Sequence, residues 1–522
     1  MIKVVDIFAG PGGLSEGFSA VTDGDGRRVF DVMLSIEKDA QAQETLRLRA
    51  FFRQFPESVP ADYYSLLRGE IDLKALYEAH SAEAKIAADR CWHASLGPGG
   101  EPTYKVHRRI KKAVGDDSSW VLIGGPPCQA YSIAGRSRNL GNPNYDPKTD
   151  TKQRLYLEYL QILAEHRPAV FIMENVKGLL SATLENVRVF HRILDDLRDP
   201  AAAVIREGRC RSHVRKGGYR IYSLTEGHVF DNGYLAGSVI RAERFGIPQA
   251  RHRVILFGVR DDINGVTPTT LTAQTRVSVS SVLKALPRLR GGLSPRSMDS
   301  AGAWRACLES QSHSRWVNAG TRKADSAALS RIIRTKLESI SLPVADRGDE
   351  FVEAETTTRY AADWYCDGRI GGVCNHSSRG HMRADLFRYF YAACYAAHHG
   401  RSPSLKDFPT DLRPHHVSAD DAIENGGHFS DRFRVQIGKR PSTTIVSHIS
   451  KDGHYYIHPD PLQCRSLTVR EAARLQTFPD NYLFRGNRTA QYVQVGNAVP
   501  PLLAKQIGEI VRDVLRAAGA ND

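Results

Sequence analysis

Four apolar residues bounded by turn formers, Trp120-Val121-Leu122-Ile123, run straight into Gly124-Gly125-Pro126-Pro127-Cys128-Gln129. A short apolar run of this kind reads as a strand buried on both faces, hence as part of a parallel sheet covered by helices. Two consecutive prolines fix φ and remove two backbone donors, so the loop after the strand is stiff where it presents a thiol. In open α/β sheets ligands bind outside the carboxyl ends of the strands. Cys128 is therefore a candidate nucleophile at a reactive sheet edge, although a turn cysteine taken alone is more often a small core hydrophobe.

Its company changes that reading. Ile2 to Ile7 is another buried strand, followed by Phe8-Ala9-Gly10-Pro11-Gly12-Gly13, a helix over Leu14 to Ala20 and a strand over Phe30 to Ile36. This is one βαβ unit, and its glycines let the backbone approach a ligand at the helix start. The spacing Gly-x-Gly-Gly departs from the dinucleotide fingerprint, so a small nucleoside cofactor is expected rather than a pyrophosphate one, with Glu37 placed for ribose hydroxyls. Glu174-Asn175-Val176 follows the strand Ala169 to Met173, Gln249-Ala250-Arg251-His252-Arg253 precedes the strand Val254 to Val259, and Gln494-Val495-Gly496-Asn497-Ala498-Val499-Pro500 lies near the end of the chain.

In this order the blocks resemble the DNA (cytosine-5) methyltransferases of bacterial type, whose proline-cysteine, Glu-Asn-Val, Gln-x-Arg-x-Arg and Gly-Asn-x-Val-Pro motifs they match. The resemblance covers the first half of the chain and its last part. It implies an α/β fold, a doubly wound Rossmann-like methyltransferase domain with a second, irregular target-recognition domain. It also implies S-adenosyl-L-methionine as cofactor, with Phe8 near the adenine, Glu37 on the ribose, and Gly10, Gly12, Gly13, Pro127, Leu155, Asn497 and Val499 lining the site. Carbon 5 of cytosine is too weak a nucleophile to take a methyl group unaided; a thiolate adding to carbon 6, Cys128 here, makes it one. Glu174 would hydrogen bond at nitrogen 3, and Arg251 or Arg253 would hold the oxygen at carbon 2. The target base must leave the duplex stack. Gln129 is placed to fill the gap, and Ser132 and Arg136, in the long loop after Cys128, to meet phosphates. The acid that in the family caps the third strand and meets the cofactor amino group has three candidates here: Asp72, Asp116 and Asp117.

Charge agrees with a polyanionic partner. Lysine and arginine total 71 against 58 acids, a net charge of +13, and phosphate neutralisation supplies sequence-independent affinity. Eight cysteines without framework spacing read as reduced thiols of a cytoplasmic protein. The N-terminus enters a strand directly, with no signal-like segment, and no stretch approaches a membrane span. Double-stranded DNA is the expected partner of a monomer in a restriction-modification or phage-defence role, beside a restriction endonuclease or other defence components. An RNA cytosine-5 methyltransferase and a non-catalytic DNA-binding relative are the alternatives.

The expected organisation is a catalytic domain over 1–262 with a helical insertion at about 41–118, a target-recognition domain over 263–440, and a hinge and C-terminal segment over 441–522 that returns to the catalytic domain. Residues 263–440 hold no catalytic block and are rich in loops, arginine, histidine and asparagine, as a surface reading base edges would be. Arg379 and Arg383 are the expected base contacts, across a cleft from the catalytic part. Cys366, Cys374, His376 and His381 lack the two-to-four spacing of zinc fingers, so no metal is expected there. Thr468 and Glu471 are spaced as a capping box opening a helix, and Pro500-Pro501 opens the last one.

Overall fold

The computed structural model describes residues 1–127, 151–181, 183–184, 187–208, 217–231, 235–318, 324–414 and 430–519. Two compact units emerge: Met1–Val59, Tyr77–Thr275 and Ala498–Asp522 form the first, Pro60–Leu76 and Arg276–Asn497 the second.

One eight-stranded sheet organises the first unit. Its strands are β1 (Ile2–Ile7), β2 (Phe30–Glu37), β3 (Cys91–His93), β4 (Val121–Gly124), β5 (Val170–Val176), β6 (Tyr219–Tyr222), β7 (Val239–Arg241) and β8 (His252–Arg260). They lie in the order β3-β2-β1-β4-β5-β8-β6, with β7 also paired to β8. The first five are parallel, and β8 runs antiparallel to β5, β6 and β7. This is the doubly wound α/β sheet expected from the sequence.

Four helices of this unit position the residues of interest: α1 (Gly13–Ser19), α2 (Ala40–Phe52), α3 (Thr103–Val114) and α4 (Thr151–His166). Side chains alternate between the two faces of the sheet. Val5, Ile7, Leu122, Phe171 and Met173 pack with Ile110 of α3 and Leu163 of α4. Val4, Val121, Ile123 and Ile172 pack on the other side with Phe18 of α1 and Ile507 and Val511 of the C-terminal helix, Pro501–Ala517. Burial of each large apolar side chain is worth roughly 1.5–3 kcal/mol, so these two layers carry the fold. The C-terminal helix sits very close to α1 because glycine allows it: a Cβ on Gly17 would lie 2.5 Å from the Cβ of Ala504. The two ends of the chain are therefore side by side.

Two strands differ from the sequence expectation. β5 does not stop at Met173 but continues through Glu174 and Asn175 to Val176, because β8 pairs with it that far, Arg253 opposite Val176. The run Ile71 to Ala94, helical by composition, ends in β3, where Cys91, Trp92 and His93 pair with Ser35, Ile36 and Glu37. A three-residue strand has no period to reveal it; a ready partner edge decides its conformation.

The second unit has its own core, in which Tyr389, Phe390 and Cys394 of the helix Arg383–His399 pack with Trp304, Trp316, Phe433 and Ile457. Beside it, the helix Val469–Leu475 has the expected capping box, Thr468 with Glu471. Its polar side chains point inward. Arg465 grips Glu471 with two bonds of 2.7 Å, Arg474 holds Asp480 at 2.9 and 2.6 Å, and Arg470 donates to the carbonyls of Cys374, Pro479 and Tyr482. Buried guanidinium groups are tolerated only when paired in this way.

Candidate functional site

Strand register assembles the site. Ile36, Ile7, Gly124 and Met173 occupy one row across β2, β1, β4 and β5. One residue further along each chain stand Glu37, Phe8, Gly125 and Glu174, so four separate sequence blocks emerge at one carboxyl edge. Strand order reverses between β1 and β4, which makes Phe8 and Gly125 the flanks of the topological switch point, the crevice where open α/β sheets bind ligands.

The β1 side is held by Glu37. Its carboxylate accepts from the Gly10 amide at 2.8 Å and from the Asp39 amide at 2.8 Å, which fixes the turn after β1. Phe8 has a left-handed backbone, φ 56°, unusual for an aromatic residue and maintained by that turn. Gly10 has φ 57°, and a Cβ placed on it would meet nothing within 4 Å among the described residues. Gly13 is the opposite case: a Cβ there would fall 2.1 Å from the carbonyl oxygen of Val499. The two glycine positions thus leave open space on one side and bring the Val499 backbone in on the other. Leu155 of α4 touches the loop after β3, its Cδ2 lying 2.8 Å from where a Gly97 Cβ would be.

Glu174 is nearly buried beside Arg253, whose Nε lies 2.9 Å from Glu174 Oε1 in a close ion pair. The other carboxylate oxygen is 3.2 Å from the position of a Cβ on Gly125, so the acid stands directly against the start of the proline-cysteine loop. Arg251 is buried two residues earlier. Pro127 is the last described residue of that loop; Cys128, Gln129, Ser132 and Arg136 lie outside the described residues.

The strand also carries a group that sequence reading missed. Asp6, fully buried in β1, accepts a hydrogen bond from the Ser15 hydroxyl of α1. Burial pushes its pKa up to about 7 despite that bond. The signal was there in sequence, an acid set between Val5 and Ile7 in a buried strand. Next to Ser15, Glu16 meets Arg49 at 2.9 Å and Arg53 at 2.8 Å. Burial raises its pKa, but the two guanidinium groups outweigh burial and bring it to about 2.

Asp6 has a pH consequence of definite sign. Its carboxyl titrates near 3.8 when unfolded and near 7 in the fold, so between those values the unfolded chain releases a proton that the fold retains. Stability falls as pH rises through that window. Comparing urea midpoints at pH 5 and pH 7, wild type should lose on the order of 2 kcal/mol more than Asp6→Asn. Equal pH dependence of the two proteins would mean that the carboxyl is ionised in the fold.

None of the three acids considered for the cofactor amino group ends β3. That strand ends on His93, whose Nε2 is 2.9 Å from the Lys38 carbonyl. Asp72 belongs to the second unit, where it accepts from the Ala75 amide. Asp116 pairs with Lys111 and Asp117 accepts from the Ser119 amide, both before β4 and hence at the amino edge of the sheet.

In the second unit, Arg379 donates to the carbonyls of Lys451 and Ile449 and lies over the Tyr492 ring, its Cζ 4.3 Å from the centroid. Its guanidinium is engaged inside the unit, whereas Arg383, at the start of its helix, is exposed. Asn497, the last residue of this unit, is exposed too. His376 is buried with its two ring nitrogens 2.9 Å from Thr468 Oγ1 and 2.9 Å from the Pro287 carbonyl, and the Cys374 thiol faces the Leu67 carbonyl. Among the described residues, Cys366, Cys374, His376 and His381 form no cluster of convergent ligands. No helix among the described residues is long and apolar enough to cross a membrane.

Known proteins resemble this chain over most of its length. The model of the C-5 cytosine-specific DNA methylase family matches residues 98–200 and 228–512. The type II methyltransferase M.Bpa9945I of Bacillus paralicheniformis is 30% identical over 536 residues, spanning 98% of this chain and 99% of its own. The type II methyltransferase M.AgeI of Thalassovita gelatinovora is 25% identical over 417 residues, 75% of this chain and 82% of its own. The DNA (cytosine-5-)-methyltransferase M.ApeKI of Aeropyrum pernix is 27% identical over 442 residues, 76% and 82% of the two chains.

Proposed function

Because this chain belongs to the family of C-5 cytosine-specific DNA methylases, which move a methyl group from S-adenosyl-L-methionine to carbon 5 of cytosine in DNA, we propose that the edge carrying Glu37, Phe8, Gly125 and Glu174 is its active site. The observation that carries this reading is the shared row, which brings a ribose-binding acid, an aromatic ring and a base-facing acid to one switch point.

The residues fit the cofactor. Glu37 gives one oxygen to each of two amides and keeps a lone pair on both for the ribose hydroxyls. Phe8 is offered at the edge by its left-handed backbone, and a side chain on Gly10 would meet open space among the described residues, which leaves room beside the turn. Gly12, Gly13, Pro127, Leu155 and Val499 complete the proposed lining within the first unit; Asn497, expected there as well, ends the second unit. The cofactor supplies an electrophilic methyl group.

The remaining steps belong to the chain. The Cys128 thiolate adds to carbon 6 of the flipped cytosine, forming an S–C bond and leaving carbon 5 nucleophilic. Glu174 hydrogen bonds at nitrogen 3, where charge arrives, and Arg253, already paired with it, orients that acid and reaches towards the oxygen at carbon 2. Arg251 is the other candidate for that oxygen. After methyl transfer, loss of the carbon 5 proton expels the thiolate and restores the ring. Gln129 occupies the gap left in the duplex, and Ser132 and Arg136 bind phosphates.

Sequence choice is assigned to the second unit, with exposed Arg383 as a base contact and Arg379 bracing the loop at Ile449 and Lys451. Given the type II relatives, the chain protects a site that a partner endonuclease cuts. Transfer of labelled methyl groups to unmethylated double-stranded DNA, read by bisulfite sequencing, should mark cytosine within one recurring sequence. Label appearing in RNA and not in DNA would favour the RNA reading instead. Replacing residues 263–440 with the counterpart from a relative of different specificity should move the methylated site to that of the donor. An active chimera that keeps the original site would remove sequence reading from this segment. Arg383→Ala should weaken discrimination by about 1–3 kcal/mol, the worth of a bidentate base contact.

A further inference from the structure

Away from the reactive edge, the first unit holds a cluster that the methyl-transfer reading does not use. His107 lies on α3; Glu165 and His166 are the last two residues of α4. His107 Nδ1 is 2.8 Å from His166 Nε2, and its other nitrogen is 3.2 Å from Glu165 Oε2. Glu165 Oε1 is 4.0 Å from His166 Nε2, and the two imidazoles stack with centroids 5.0 Å apart. One ligand atom from each of the three lies within 4.8 Å of the others. His166 is four residues before β5, at the amino edge of the sheet, so the cluster is on the side away from Glu174.

We propose that His107, Glu165 and His166 bind one zinc ion, with water as the fourth ligand, and that the ion ties α3 to α4. Two imidazoles and one carboxylate suit a borderline cation in tetrahedral geometry better than they suit magnesium or calcium, which take oxygen. Both rings are well shielded while Glu165 is half exposed, which leaves a route in for the ion. The negative end of the α4 dipole, at His166, favours a cation in the same place. Zinc–nitrogen bonds of about 2.0–2.1 Å separate two tetrahedral ligands by roughly 3.3 Å. The ring nitrogens need to open by about half an ångström from their hydrogen-bonded spacing, and Glu165 to swing from His107 to the ion. Only a half-exposed side chain and two helix-borne rings take part.

The test uses the full chain stripped with a chelator and titrated with zinc chloride. One equivalent should bind and raise the melting temperature; His166→Ala and His107→Ala should show no saturable uptake, and Glu165→Gln should bind roughly tenfold more weakly or worse. Cobalt chloride provides an independent readout if a histidine variant folds poorly: wild type should give the visible bands of a tetrahedral ion without thiolate charge-transfer absorption, and half-exposed Glu165→Gln should change them. Absence of stoichiometric binding, unchanged uptake in the variants, or strong thiolate absorption placing the ion on cysteine would each overturn the assignment.

Discussion

Cys128→Ala is expected to abolish methyl transfer while leaving cofactor and DNA binding close to wild type. Without a covalent adduct at carbon 6 no electron pair reaches carbon 5. Among the described residues the turn is held by Glu37 and the Gly10 and Asp39 amides, so Glu37, Phe8 and the glycine turn should be little affected by the substitution. Binding measured by cofactor titration and by mobility shift should therefore persist when turnover is lost. A variant that retains more than about a hundredth of the wild-type rate would remove Cys128 from the chemistry.

Glu174→Gln is expected to slow the chemical step by roughly two to four orders of magnitude, the range of a positioned acid or base. The substitution is nearly isosteric, and the position is packed between Arg253 and Gly125, so the fold should tolerate it. An amide still fills the space but is a far weaker proton donor or acceptor at nitrogen 3. Single-turnover rates at saturating DNA isolate the step, and cofactor affinity should move little because Glu37 and Phe8 are on the other side of the switch point. An unchanged rate would reduce Glu174 to a strand residue that merely pairs with Arg253.

Legibility in the sequence followed the range of the forces involved. β1, β4 and the core of β5 were readable because a strand buried on both faces must be continuously apolar. The capping box at Thr468 was readable because both of its bonds are local. β3 and the extension of β5 through Val176 were not, since each exists only because a distant strand offers hydrogen bonds. The same holds for the site. That Glu37 and Glu174 share an edge follows from strand ends, but that Glu37 grips the Gly10 amide and that Gly13 meets the Val499 carbonyl depends on how the chain ends return. Arg379 shows the limit most plainly. Its composition-rich surroundings suggest a DNA contact, whereas its partners, two carbonyls and a ring more than sixty residues on, are set by tertiary packing.

Methylation of cytosine through a covalent Cys128 adduct, at the edge defined by Glu37, Phe8, Gly125 and Glu174, is the proposal from which the other expectations follow. It is tested most directly with duplex DNA synthesised with 5-fluorocytosine in place of cytosine. Fluorine at carbon 5 cannot leave as a proton does, so the adduct should stop before thiolate release. After incubation with S-adenosyl-L-methionine, denaturation and digestion, the predicted result is a methylated nucleotide bound to the peptide carrying Cys128, and none in Cys128→Ala. Methyl transfer to ordinary duplex DNA with no trapped species on the fluorinated one, or an adduct on any other cysteine, would contradict it.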